Sequence, residues 1–265
     1  MGEKRDQCNV RTLCRRLAAE GVGEIAEVIC LEEIDSTNLE AKRRILGGST
    51  RFSLVVANRQ TAGKGRMGRT FYSPEGSGVY CTLAYPVEAP MERAVSVTGA
   101  AAVAVMRAIR RLTGIQTEIK WVNDLYLNGK KVCGILAESI TLPDDPTRRF
   151  MILGIGVNWY RATFPEELDS IAGSVGAEGV DRATLISGIC RELLPFLLHA
   201  EDRSWLEDYR RHSCVIGKRV RWSCGDVAAE GSAVDVDGDG ALLVRTEDGD
   251  TLRLRTGEIS LRVVE

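Results

Sequence analysis

A chain of 265 residues, 44% apolar and 27% charged, has the make-up of a globular protein with room for one large core and a small second unit. Its 35 Lys and Arg against 37 Asp and Glu leave a net charge of -2, which offers no electrostatic footprint for nucleic acid, and no apolar run nears the roughly 20 residues that span a bilayer. Eight cysteines without a Cys-x-x-Cys pair argue against zinc and fit reduced thiols in a cytoplasmic protein.

Met1 to Cys8 lacks the apolar segment of a signal peptide. Val10, Leu13, Cys14 and Leu17 recur at helical spacing and predict a short helix over 7–20. Val28 to Leu31 reads as a strand that leads through Asp35-Ser36-Thr37-Asn38 into a helix ending near Leu46, before Gly47-Gly48. Thr37 and Glu40 have the spacing of a capping box, and a helix start there also presents free donors to a ligand. Ser53 to Asn58 predicts the next strand.

Gln60 then precedes Thr61-Ala-Gly-Lys-Gly-Arg-Met-Gly-Arg69, in which three glycines and three cations fall within seven residues. Glycine lets a backbone approach a ligand closely, and Lys64, Arg66 and Arg69 suit phosphate or carboxylate. Gly63, Gly65 and Gly68 spell G-x-G-x-x-G, but the turn-rich Thr70 to Gly76 opens no helix, so a dinucleotide fold is not expected. The loop is built to close over a small anion.

Gly78 to Tyr85 reads as a strand stopped by Pro86, and the small-residue stretch 92–112 as a helix packed on a sheet. Glu118 to Leu127 reads as one strand, turned at Asn128-Gly129 into a return strand from Lys131 to Ile140. A loop holding Pro143 and Pro146 leads to the apolar strand Phe150 to Asn158, with helices near 182–200 and 203–212. The two histidines, His199 and His212, belong to those helices, far from the glycine loop, so histidine acid–base chemistry is not expected. From Gly217 short strands at 218–223, 227–236, 241–246, 251–255 and 259–263 predict a small closed β unit. Asp235, Asp237, Asp239 and Gly240 imitate the start of a calcium loop, but Thr246 stands where its glutamate would be; a polar turn is the better reading.

Taken together, Asp35-Ser-Thr-Asn38, the glycine loop to Arg69, Lys120-Trp-Val-Asn-Asp-Leu125, Lys131 before Gly134-Ile-Leu-Ala-Glu138, and Gly154-Ile-Gly-Val-Asn158 resemble the biotin protein ligases over about 28–265. Gly240 to Thr246 and Gly257 to Arg262 resemble that family's terminal domain. The resemblance implies an α+β fold: a mixed-sheet catalytic domain of the biotin/lipoate ligase type over 28–215, an SH3-like β-barrel over 216–265, and a helical extension over 1–27. It also implies an ATP-dependent enzyme that forms biotinyl-5′-AMP and passes biotin to a lysine of a biotin carboxyl carrier protein domain.

Carried over residue by residue, Ser36, Thr37, Asn38 and Gln60 would meet the biotin ring, with Gly134 on the same side. Lys64, Gly65 and Arg66 would cover the biotin tail and phosphate, and Lys131 would neutralise the carboxylate, making Arg66 and Lys131 the catalytic cations. Arg69, Asn123, Asp124 and Asn158 would serve the nucleotide, Asp124 through Mg²⁺. Trp121 reads as structural. Two positions depart from the family pattern: Val122 stands for a proline and Lys64 for an arginine, which keeps charge but loses a planar fork. Only 34 residues precede Asp35, too few for a winged-helix DNA-binding domain, so a ligase without repressor function is expected, with no nucleic acid or membrane partner. A homodimer is compatible with the resemblance. The glycine loop is expected to order when filled. A lipoate or octanoate ligase is the nearest alternative, although a fatty chain offers Ser36-Thr37-Asn38 nothing to bind. A non-catalytic carrier- or biotin-binding protein is the second.

Overall fold

The computed structural model describes residues 8–87, 94–199, 201–224, 227–255 and 259–263. Residues 1–7, most of the stretch ahead of the first helix, lie outside the described residues, as do 92–93 of the expected second long helix, residue 200, and Gly257 and Glu258 of the terminal motif. Among the described residues, twelve strands form two sheets. The larger is mixed, with β1 (Glu27–Ile34), β2 (Ser53–Gln60), β3 (Val79–Val87), β4 (Glu118–Lys120), β5 (Asp124–Leu127), β6 (Lys130–Leu142) and β7 (Asp145–Val157) in the order β1-β2-β3-β7-β6-β5-β4. Only β1 and β2 run parallel. The smaller sheet is antiparallel, β8 (Arg219–Cys224), β9 (Val227–Val236), β10 (Leu242–Arg245), β11 (Thr251–Leu254) and β12 (Ile259–Val263), ordered β11-β10-β9-β8-β12.

Helices cover both faces of the large sheet, which explains the unbroken apolar runs of its central strands. One face takes α3 (Ala94–Thr113) and α5 (Arg182–Leu198), and α1 (Val10–Ala19) lies on α5 and β1. The other face takes α2 (Thr37–Leu46), whose Ala41 and Ile45 meet Val55, Ala84, Phe150 and Ile152. Alternation then sorts the strands. Leu54, Leu83, Leu153 and Ile155 enter the core beneath α3, while their neighbours point toward α2. Two further helices are α4 (Glu166–Asp169) and α6 (Trp205–Arg211).

Three elements differ from the sequence reading. The stretch 118–127 is two antiparallel strands, β4 and β5, joined by a turn at Trp121-Val122-Asn123; the Trp121–Val122 peptide is cis. The segment 141–149, expected as a loop, extends β6 and β7 into a long hairpin, and Pro146 falls in its bulge, where no ladder bond is needed. Strand β3 continues through Pro86 because its pairing with β2 stops at Ser53–Ala84, so the missing N–H breaks no β2–β3 bond there.

The small sheet joins the large one through side chains. The buried Trp121 indole donates to Gly240 O at 2.9 Å, and Arg210 on α6 reaches both Asp235 and Val236 O. Asp237 and Asp239 pair with Arg253, and Asp237 also accepts from the backbone N–H groups of Asp239 and Ala241. These carboxylates are thus committed to a polar turn.

Gly99 on α3 faces Trp205, and an added Cβ would stand 2.7 Å from its ring. Gly99→Ala is therefore expected to destabilise the fold by about 1–3 kcal/mol despite its better helix propensity. Thermal unfolding checks this; an unchanged midpoint would contradict the packing of α6 on α3.

Candidate active site

Strand alternation builds the floor of the site. Thr82 on β3, Gly154 and Gly156 on β7, and Gly134, Leu136 and Glu138 on β6 share the face toward α2. Gly134 pairs with Gly156, and Leu136 with Gly154. A methyl group at Gly154 would sit 2.2 Å from Asn38 Oδ1, and one at Gly156 would sit 2.6 Å from the Phe71 ring. Bare backbone at these positions leaves the room that functional side chains occupy.

Above this floor lies a cavity of about 950 Å³. Ser36, Thr37, Asn38, Gln60, Lys64, Gly65, Arg66, Arg69, Asn123, Asp124, Lys131, Gly134 and Asn158 all line it, so the residues singled out from sequence come together in one place. Sequence reasoning missed Phe71, Tyr72, Tyr126, Phe164 and Ile171, which give the cavity apolar walls. Phe71 lies two residues past Arg69 at the end of the glycine loop, which was a usable signal.

One end of the cavity is neutral and polar. Ser36, not Thr37, is the N-cap of α2, and no side chain closes the expected capping box. Gln60 does that work instead: its Oε1 accepts from Thr37 N–H at 2.8 Å and lies 3.1 Å from Thr37 Oγ1. Gln60 Nε2 donates to Ser73 Oγ, which donates to Phe71 O. Buried Thr82 Oγ1 lies 2.8 Å from Thr37 Oγ1 and 2.7 Å from Asn38 Oδ1. Asn38 Nδ2 donates to Glu138 Oε2 at 2.8 Å, and Lys42 Nζ holds Glu138 Oε1 at 2.7 Å. Asn38 and Lys42 are four residues apart on α2, so one helix face brings both to the same carboxylate. Burial raises the Glu138 carboxyl, but the Lys42 and Asn38 donors lower it more, and it ends below its ordinary value.

The other end is charged. The glycine loop folds as a single 3₁₀ turn, Arg66–Gly68, with Met67 at φ 55° and Gly68 at φ 72°. Gly65 N–H donates to Arg69 O and Phe71 N–H to Gly63 O, so the loop closes on itself. Arg66 is turned inward. Its Nη1 donates to Asn123 Oδ1 at 3.1 Å, while Nη2 is buried without a partner. Burial lowers the guanidinium's pKa against the pull of Asp124, but arginine stays charged. Asn123 Nδ2 donates to Ile135 O, which fastens the β4–β5 turn to β6. Lys131 Nζ lies 2.6 Å from Asp124 Oδ1. Asn158 Nδ2 donates to Gly173 O and ties the segment after α4 to the end of β7. Lys64 and Arg69 stay exposed, and Lys120 lies over the Tyr126 ring at 5.1 Å.

Both ends open into the same cavity. One molecule that reaches both would carry a neutral polar group at one end and an anion at the other. Asp124 is the sole carboxylate among the cavity residues, and no cluster of three metal-ligating side chains exists among the described residues. That donor set fits a divalent cation arriving on a phosphate ligand better than a resident one.

The chain is similar to known proteins along most of its length. A model described as the biotin/lipoate A/B protein ligase family matches residues 31–158, and one described as the biotin protein ligase C-terminal domain matches 215–262. The bifunctional ligase/repressor BirA of Bacillus subtilis is 35% identical over 249 residues, 88% of this chain and 73% of that one. A biotin–[acetyl-CoA-carboxylase] ligase of Mycobacterium tuberculosis is 30% identical over 260 residues, 94% of each. Among solved structures, a biotin protein ligase from Aquifex aeolicus in complex with biotin and ATP superposes with a TM-score of 0.75 at 27% identity, covering 91% of this chain and 100% of that one.

Asp35 secures the start of α2: its Oδ1 accepts from Ser36 N–H, and Arg43 grips both carboxylate oxygens. The Arg43 hydrogen bonds, against a small cost of burial, pull its pKa from 3.8 to about 2. A lowered carboxyl stabilises the fold fully above its unfolded value, and the gain is lost as pH falls through about 2. Asp35→Asn should therefore unfold earlier than the parent at pH 7, with the gap narrowing steeply toward pH 2. Denaturation at a series of pH values checks this, and a gap that stays as wide at pH 2 would count against the carboxylate's role.

Proposed function

The chain belongs to the biotin protein ligases of the biotin/lipoate A/B protein ligase family, and we propose from that premise that its cavity joins biotin to ATP and then delivers biotin to a carrier lysine. The single observation that supports this best is the pairing of ends: a neutral polar corner at Thr37 and Gln60, and inward cations at Arg66 and Lys131. A ureido ring suits the first and a carboxylate the second. The chain divides for this purpose into 1–27, the catalytic 28–215 and the terminal 216–265.

The chemistry asks for positioning more than for a protein nucleophile. The biotin carboxylate attacks the α-phosphorus of ATP, a phosphorus–oxygen bond forms, and pyrophosphate leaves. Two anions must be held together while charge builds on phosphorus, which preorganised donors achieve. The Nη2 of Arg66, buried and without a protein acceptor, is such a donor. Lys131 would exchange Asp124 for the carboxylate. Asp124, released, would hold Mg²⁺ brought by the triphosphate, and the ion would neutralise phosphate charge. Arg69 and Asn158 flank the nucleotide side, and Asn123 keeps Arg66 aimed. The second half-reaction needs a carrier-domain lysine, whose amine attacks the acyl carbon and expels AMP.

Of the repression named for the Bacillus relative, the described residues before β1 supply a single helix, α1, committed to α5 and β1. No described helix is long and apolar enough to cross a membrane.

Exchange of labelled pyrophosphate into ATP should depend on biotin. Exchange with octanoate or lipoate but not biotin would replace the substrate, and exchange with no acid would favour a binding protein. Lys131→Ala is expected to slow adenylate formation roughly 10²–10³-fold, the range for one lost preorganised donor. Arg66→Ala should release the adenylate into solution, seen as free biotinyl-AMP by chromatography. Parental rates and retention in both variants would overturn the site assignment. Amide exchange across 63–69 should slow when biotin and ATP are added, and no change would contradict closure of the loop.

A further inference from the structure

Asn38 was expected to touch the substrate, but both ends of its amide are already engaged. Glu138 is a carboxylate and only accepts, so the NH₂ of Asn38 must face it. Oδ1 of Asn38 then faces Thr82, and an amide oxygen also only accepts. The single proton of the Thr82 hydroxyl is therefore drawn to Asn38, which leaves the Thr82 oxygen as an acceptor toward Thr37. On the other side, Gln60 Oε1 accepts as well, since Gln60 Nε2 is turned to Ser73. The Thr37 hydroxyl thus stands between two acceptors and spends its proton on one of them. What remains for a ligand is a lone pair.

We propose that Glu138 is a positioning residue that sets the direction of this hydrogen-bond chain, so that Thr37 offers its substrate an acceptor and never a proton. For biotin, the reading proposed above on which this rests, the complementary group is a ureido N–H. Glu138 touches no substrate. It acts through Asn38 and Thr82, and Lys42 holds it in place from one turn along α2. The chain is short and enclosed: Thr82 is 0% exposed, Thr37 3% and Asn38 4%. Enclosure is what makes direction matter, because water cannot supply the missing proton or lone pair. Selectivity then arises far from the ligand. A substrate that presents an acceptor at Thr37 would leave two oxygens face to face, whereas a ureido N–H completes the chain.

The test uses the full chain and three substitutions. Glu138→Gln lets an amide face Asn38, so the direction of the chain is no longer fixed. Thr82→Val removes the relay at nearly constant volume, and Thr82→Ser restores the hydroxyl. Calorimetric binding of biotin and steady-state exchange are measured for each. Glu138→Gln and Thr82→Val should each weaken biotin about tenfold, in Kd and in KM for biotin, with kcat and the KM for ATP within about twofold of the parent. Thr82→Ser should recover most of the loss. The double variant should be no weaker than the weaker single one, because both cut the same chain. A merely structural role would instead lower the melting temperature and alter both substrates together. Additive losses, or losses shared equally by biotin and ATP, would overturn the proposal while leaving the biotin reading intact. Failure of the unsubstituted chain to bind biotin would overturn both.

Discussion

A sheet covered on both faces has no surface to spare for a substrate. Period-two geometry would place a side chain of β6 or β7 under every part of α2 and the glycine loop. The cavity exists because those positions are Gly134, Gly154 and Gly156, three bare steps on neighbouring strands facing the same way. Everything chemical follows from that vacancy. Asn38 lies across Gly154, Phe71 covers Gly156, and Lys131 leans over Gly134. The same strands present Leu153, Ile155 and Cys133 to the opposite face, so the site is cut into the sheet without thinning the core beneath it.

The two ends of the cavity solve opposite electrostatic problems. At the neutral end a chain of amides and hydroxyls is bonded within itself and anchored on the Glu138–Lys42 pair, so no uncompensated charge lies there. At the charged end saturation is deliberately incomplete. Arg66 keeps one nitrogen unpaired, and Lys131 is paired with Asp124 at the cavity wall. An unpaired buried donor costs stability on its own. Here it is held open by the turn that also carries Asn123, whose amide bonds Arg66 on one side and Ile135 O on the other.

Most of the site was legible in sequence because its chemistry sits in contiguous runs at strand ends. The glycines and cations of 63–69, Asp35 to Asn38 and Gly154 to Asn158 could each be seen as local patterns, and the fold brings them to one cavity. The features that escaped were relational. Thr82 is one hydroxyl in an apolar strand, and nothing nearby in sequence says that Asn38 and Thr37 will meet it. The capping box was drawn from Thr37 and Glu40, whereas the acceptor for Thr37 comes from Gln60, 23 residues away. The β4–β5 turn was hidden by a run that reads as a single strand, and the length of the β6–β7 hairpin was masked by two prolines lying at its end and in its bulge.

The hydrogen bond from Trp121 to Gly240 O joins the β4–β5 turn to the small sheet across 119 residues of chain. Its donor is buried and its acceptor belongs to the other unit, so separating the two would strand an indole N–H at a cost of about 1–3 kcal/mol. The residue before it is Lys120, and Asn123 and Asp124 follow within three. Movement of the terminal unit therefore pulls on the backbone that aims Arg66 and Lys131. The small sheet acts as a keel for the β4–β5 turn, and so for one wall of the cavity.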